Sequence, residues 1–95
     1  SLMEIPCPEE KKLETVEAIR QAFTDFEAST IDGVRVRFLD GADDEQKGWF
    51  LARKSNTEPI LVMRVEAVNE SELSSILNLI EQRVSPIIDI SKLLQ

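Results

Sequence analysis

From residue 53 to residue 59 the chain reads "RKSNTEP", which sets a guanidinium, an ammonium, two hydroxyls and a carboxamide in consecutive positions. These are the groups that converge on a small anion such as phosphate. The guanidinium of Arg53 is a planar fork matched to paired oxygens, Ser55, Asn56 and Thr57 carry short hydrogen-bonding arms, and a turn exposes backbone N–H groups. Arg53 falls at the end of one expected strand and Pro59 opens the next, so the loop starts and stops at anchored points. Glu58 counts against such a site unless its carboxylate faces away. Composition alone leaves a plainer reading in place: Ser, Asn and Thr are common turn formers because they bond to nearby backbone, and a charged connector is ordinarily solvated. Lys54 is read as general positive potential only.

The rest of the composition narrows the chemistry. His is absent and Cys7 is the one cysteine, so neither a disulfide framework nor a Cys/His metal site can be assembled, and the nucleophilic arrangements that need a His base are excluded. Eleven Lys and Arg against eighteen Asp and Glu give a net charge of −7, which repels nucleic acid and anionic lipid. No window approaches the apolar length that crosses a bilayer, and with no apolar leader in view a cytoplasmic location is expected.

The elements that must position the loop are legible from periodicity. Ninety-five residues suffice for one domain sharing one core. "MEIPCP" carries prolines at 6 and 8, which favour an extended segment, so residues 1–8 read as a linker or short edge strand arriving from a preceding domain. Ser1 and Leu2 are set aside as a remnant of expression, and 9–95 is taken as the domain proper. "PEEKKLETVEAIRQAFTDF" predicts an amphipathic helix with Leu13, Val16, Ile19, Phe23 and Phe26 as its apolar stripe. Then the period changes. Asp32-Gly33 suits a tight hairpin turn, and Val34, Val36 and Phe38 alternate with Arg35 and Arg37. "WFLAR" and "ILVMRVEA" predict two more strands on either side of the loop. The second sets Ile60, Val62 and Arg64 on one face and Leu61, Met63 and Val65 on the other. Asn69 followed by Glu72 opens a second helix as in a capping box, and that helix ends near Arg83, before Pro86. The tail beyond it fits either a strand or a helical turn. The expected fold is α+β, an antiparallel four-stranded sheet with two helices packed on one face.

In this order the strings resemble a known family. "RKSNTEP", preceded by "DGVRV" and "GWFLA" and followed by "ILVMRVEA" and an acidic helix start, is similar to the C-terminal domain of the α-D-phosphohexomutase superfamily, especially phosphomannomutase/phosphoglucomutase. The likeness covers residues 3 to 83. It implies a TATA-box-binding-protein-like fold and a loop of the form Arg-x-Ser-Asn/Gly-Thr that binds the phosphate of a hexose phosphate away from the reacting hydroxyl. Carried over by position, Arg53 supplies the charged fork and Ser55, Asn56 and Thr57 the hydrogen-bond donors. Asn56 stands where phosphoglucosamine mutases more often resemble a glycine, a lean toward phosphomannomutase/phosphoglucomutase.

The resemblance also defines what is missing. The family's phosphoserine, its Asp-x-Asp-x-Asp loop for Mg²⁺ and its sugar-choosing loop have no match in the chain. It implies the phosphate-binding domain of an isomerase that moves phosphate between carbons 1 and 6 of a hexose, with Mg²⁺ bound elsewhere in the enzyme and the other domains of the same polypeptide as partners. By itself the chain is expected to be silent. "IPCP" is then either a hinge or an inert spacer. A reading from another class stays open: a stand-alone module whose sheet or helix face binds a protein.

Further residues are weighed against these readings. Arg64 could stand behind the phosphate groups or pair with Glu66 on its own face, and the pair is favoured. Arg35 and Arg37 are read as a solvent face. In a chain with five aromatic residues, Trp49 is expected in the core rather than as a platform for sugar. The run Asp43-Asp44-Glu45 is read as a solvated connector rather than a cation site, and Cys7 as a free thiol of no assigned role.

Overall fold

The computed structural model describes residues 2–30, 33–39 and 45–91. In chain order it contains β1 (Leu2–Pro6), a 3-10 turn (Glu9–Lys11), α1 (Lys12–Ala22), β2 (Glu27–Ser29), β3 (Val34–Leu39), β4 (Gln46–Lys54), β5 (Ile60–Ala67) and α2 (Glu70–Val84). The strands form one sheet in the order β1-β5-β4-β3-β2, every neighbouring pair antiparallel.

The sheet has five strands, not four, and β1 is the addition. Met3 stands opposite Met63 and Pro6 opposite Ile60, so the proline sits at the strand's end on the sheet's edge, where a missing N–H costs least. Leu2, set aside in the sequence, pairs with Arg64. Within "IPCP", Ile5 and Cys7 are buried, and the Cys7 N–H donates to the Pro59 carbonyl at 2.9 Å.

Alternation then sorts the side chains. Val34, Val36, Phe38, Phe50, Ala52, Leu61, Met63 and Val65 are buried on one face, and both helices lie on it through Ile19, Phe23, Ile76, Ile80 and Val84. Phe23 is the hub, its ring 5.7 Å from that of Phe50 and 6.4 Å from that of Phe38. Gly48 lets α2 approach, since a Cβ there would stand 2.6 Å from Ile76 Cδ1. At the start of α2 the Glu72 N–H donates to Asn69 Oδ1 at 2.8 Å, the expected cap.

Two expectations about side chains are corrected. Leu13 is 72% exposed, and Lys12 is buried in its place. The spacing 12, 16, 19, 23 alternates four and three residues, which keeps one helix face, whereas 13, 16, 19 drifts off it. Trp49 is not in the core: it alternates with buried Gly48 and Phe50, so it stands on the face opposite the helices. At the hairpin, β2 and β3 pair antiparallel, as the Asp-Gly turn predicts, with Ser29 opposite Arg35. Gly33 takes a positive φ of 91° as expected, while Ile31 and Asp32 lie outside the described residues. After α2 the chain continues as hydrogen-bonded turns from Val84 to Ile88 and buries Ile90, so the described tail is no strand.

Candidate functional site

The loop joins β4 to β5 at the end of the sheet's central strands and is held at both feet. The Ser55 N–H donates to the Ile60 carbonyl at 3.1 Å, and the Ile60 N–H to the Glu58 carbonyl at 2.8 Å. Cys7 fastens Pro59 to the end of β1, as above. Inside the loop Ser55 Oγ accepts from the N–H groups of Thr57 at 3.2 Å and Glu58 at 3.1 Å, and the Asn56 carboxamide oxygen accepts from Lys54 Nζ at 3.0 Å. The plain turn-forming role of these residues and the binding role are therefore not rivals. Ser55 Oγ and Asn56 Oδ1 are used internally as acceptors, and among the described residues the Ser55 and Thr57 hydroxyls and the Asn56 NH₂ donate to no group.

Arg53 differs from every other described arginine but Arg35 in having no hydrogen bond or ion pair among the described residues. Its side chain rises on the open face, in alternation with buried Ala52. Gly33 fits against its root: a Cβ on Gly33 would meet Arg53 Cβ at 2.7 Å and collide with the Ala52 carbonyl oxygen. The hairpin glycine thus does two things, turning the chain and clearing the ground beside Arg53. Asn56, Thr57 and Glu58 are exposed, so the donors lie on an open surface rather than in a closed pocket.

Lys12 is the residue that periodicity missed. Its ammonium comes from beneath, out of α1, to the Ser55 carbonyl at 2.6 Å and to Glu9 at 2.9 Å, with the side chain only 2% exposed. A lysine in phase with Val16, Ile19 and Phe23 was the available signal. Arg53, Lys54 and Lys12 thus bring three cations to one loop of an acidic chain.

The remaining candidates sit farther along the open face. Arg64 Nε is 3.9 Å from Glu66 Oε1, the favoured partner, and two register rows from Arg53 on the same face, which is one row of side chains along that face, since Arg53 faces Val62. Arg37 bonds Glu27 at 2.9 Å and Gln46 at 3.1 Å. Arg35 lies over the Trp49 ring at 4.5 Å and Arg64 at 5.9 Å, so cations occupy the indole where a sugar would stack. Cys7 Sγ lies 3.8 Å from Thr15 Oγ1, beside a cleft of about 410 Å³ lined also by Pro6, Pro8 and Ile88. Among the described residues no three His, Cys, Asp or Glu converge on a metal position, so Mg²⁺ finds no ligand set in them. Asp43 and Asp44 of the acidic connector lie outside the described residues. No described helix is long and apolar enough to cross a membrane.

Comparison with known proteins matches the sequence model of the family described as "Phosphoglucomutase/phosphomannomutase, C-terminal domain" to residues 2–82. A phosphomannomutase/phosphoglucomutase of Pseudomonas syringae pv. tomato is 38% identical over 84 residues, 83% of this chain and 17% of that protein. A phosphoglucosamine mutase of Methanococcus aeolicus is 38% identical over 69 residues, 70% of this chain and 14% of that protein. A crystal structure of a phosphoglucomutase/phosphomannomutase family protein from Burkholderia thailandensis superposes with a TM-score of 0.67 at 27% identity, covering 92% of this chain and 17% of that one. The chain therefore spans about a sixth of the length of the relatives it matches.

Proposed function

The chain belongs to the phosphoglucomutase/phosphomannomutase C-terminal domain family, and on that premise we propose that its β4–β5 loop grips the phosphate of a hexose phosphate while the rest of a phosphohexomutase moves phosphate between carbons 1 and 6. The observation that carries the reading is the guanidinium of Arg53, without a partner among the described residues, beside a loop in which Ser55 Oγ and Asn56 Oδ1 accept internally while the Ser55 and Thr57 hydroxyls and the Asn56 NH₂ donate to no described group. A phosphate oxygen pair takes the fork of Arg53, and the Ser55 and Thr57 hydroxyls and the Asn56 NH₂ close on the remaining oxygens. Arg64, tied to Glu66, adds positive potential from one row away.

A remote grip suits a reaction in which a bisphosphorylated sugar must present first one end and then the other. Binding energy from the phosphate that is not reacting holds the sugar in line for the phosphate that is. The open surface of the loop fits a domain that supplies one wall of a site, with the other domains of the polypeptide supplying the rest. The phosphorylated serine and the Mg²⁺ ligands belong to those domains, and the chain alone has no turnover. Asn56 in the loop favours phosphomannomutase/phosphoglucomutase over phosphoglucosamine mutase.

Titrating the ¹⁵N-labelled chain with mannose 6-phosphate or glucose 6-phosphate tests this. The amides from Arg53 to Thr57 shift at millimolar ligand, as expected for an unenclosed anion site. Shifts confined to the helices or the open sheet face on adding a protein partner, with the loop silent to sugar phosphate, support the interaction module instead.

A further inference from the structure

We propose that Lys12 is a positioning residue that turns the Asn56 backbone N–H outward to serve as an anion donor; this rests on the phosphate reading of the loop. Ser55 and Asn56 share one peptide unit, and the described chain has no cis peptide bond. In a planar trans peptide the C=O and N–H point in opposite directions. The Lys12 ammonium holds the Ser55 carbonyl at 2.6 Å from the α1 side, so the Asn56 N–H on the same plane points away from α1.

The neighbouring amides behave differently. The N–H groups of Thr57 and Glu58 already donate to Ser55 Oγ, and that of Ser55 to the Ile60 carbonyl. Among the described residues the Asn56 N–H has no acceptor. It is the single amide from Ser55 to Glu58 available to a ligand, and its orientation depends on a cation that touches no ligand itself. Burial makes the anchor firm: a lysine 2% exposed cannot exchange its carbonyl partner for water without moving α1, and Glu9 at 2.9 Å neutralises its charge. A leucine at position 12 would have satisfied the core equally well, which points to the ammonium as the reason for a lysine there.

The test uses inorganic phosphate with the ¹⁵N-labelled chain and its Lys12→Met variant, which keeps an apolar side chain of similar length in the core. In the wild type the Asn56 amide proton moves downfield more than any other loop amide, and those of Thr57 and Glu58, already bonded to Ser55 Oγ, move less. In Lys12→Met, affinity falls about tenfold, the worth of one good hydrogen bond. The Asn56 response shrinks with it, while the amides of Val36, Phe50 and Val65 keep their positions. A loss of stability alone would not single out Asn56. A stationary Asn56 amide in a wild type whose Arg53 and Thr57 signals respond overturns the inference and leaves the phosphate reading intact. Equal affinity in Lys12→Met overturns it too, and a loop silent throughout overturns both. If Lys12→Met does not fold, the wild-type pattern decides.

Discussion

Arg83 and Arg53 carry the same guanidinium into opposite circumstances. Arg83, on α2, forks onto Asp25 with one bond of 2.9 Å, donates to the Ala22 carbonyl at 2.9 Å and lies 5.4 and 5.0 Å from the rings of Phe23 and Phe26. It joins the end of α1 to α2, and both of its Nη groups donate to the protein. Arg53, at the end of β4, spends none of its donors on the described chain, and a glycine stands beside its root. A fold that ties one arginine to its helices and leaves another without a partner among the described residues, next to a donor-rich loop, would separate holding the domain together from the proposed holding of a ligand.

The largest expected effect breaks the two apart. Arg53→Ala weakens binding of hexose 6-phosphate about ten- to a hundred-fold, the range for a charge-assisted hydrogen bond, and leaves the thermal midpoint where it was. Arg83→Ala does the reverse. It lowers stability by about 1–2 kcal/mol through the lost carbonyl bond and ring packing and leaves affinity unchanged; calorimetry and titration on the same samples read both. Gly33→Ala should affect both quantities: strain at φ 91° costs about 1–3 kcal/mol, and crowding of Arg53 lowers affinity several-fold.

Acid sharpens the structural half. The hydrogen bonds from Arg83 hold the Asp25 carboxyl below its ordinary range. A carboxylate whose folded pKa is depressed contributes stability that is complete above its unfolded pKa and is lost as pH falls through the folded one. Asp25→Asn should therefore differ in stability from the wild type at neutral pH and converge with it in strong acid, as chemical denaturation at a series of pH values would show. The smallest effect belongs to Leu13→Ala. At a position 72% exposed, the change stays within about 0.5 kcal/mol, whereas Ile19→Ala on the true stripe costs about 2–5 kcal/mol.

How much of this was legible in the sequence follows from what periodicity measures. The alternation of β3 and β5, the Asn69 cap and the loop between β4 and β5 came through because each has a local signal that tertiary packing did not override. The α1 stripe came out one residue off at its start, because a count of apolar residues selects Leu13 and cannot foresee that a lysine is buried when a carbonyl waits for its ammonium. Trp49 was misplaced because β4 is apolar on both faces, with Phe50 and Ala52 alternating against Trp49 and Leu51; parity gave no preference, and it is the fit of Gly48 against Ile76 and of Phe50 against Phe23 that shows which face the helices cover. β1 was left open between a linker and a short edge strand, because two prolines favour extended chain without saying whether it pairs, and edge pairing to β5 is a long-range event. At the site itself the residue types of Arg53, Ser55, Asn56 and Thr57 were readable. The division of labour inside the loop was not, since it depends on which acceptor each N–H finds.

One spectrum puts the central claim to trial. The Nε–H resonances of Arg53 and Arg83 are followed together as mannose 6-phosphate is added to the ¹⁵N-labelled chain. The account predicts that the Arg53 signal shifts and saturates while the Arg83 signal, on a guanidinium held to Asp25 through both Nη groups, stays in place. An Arg53 signal that never moves, or two arginines that drift together without saturation, would contradict it.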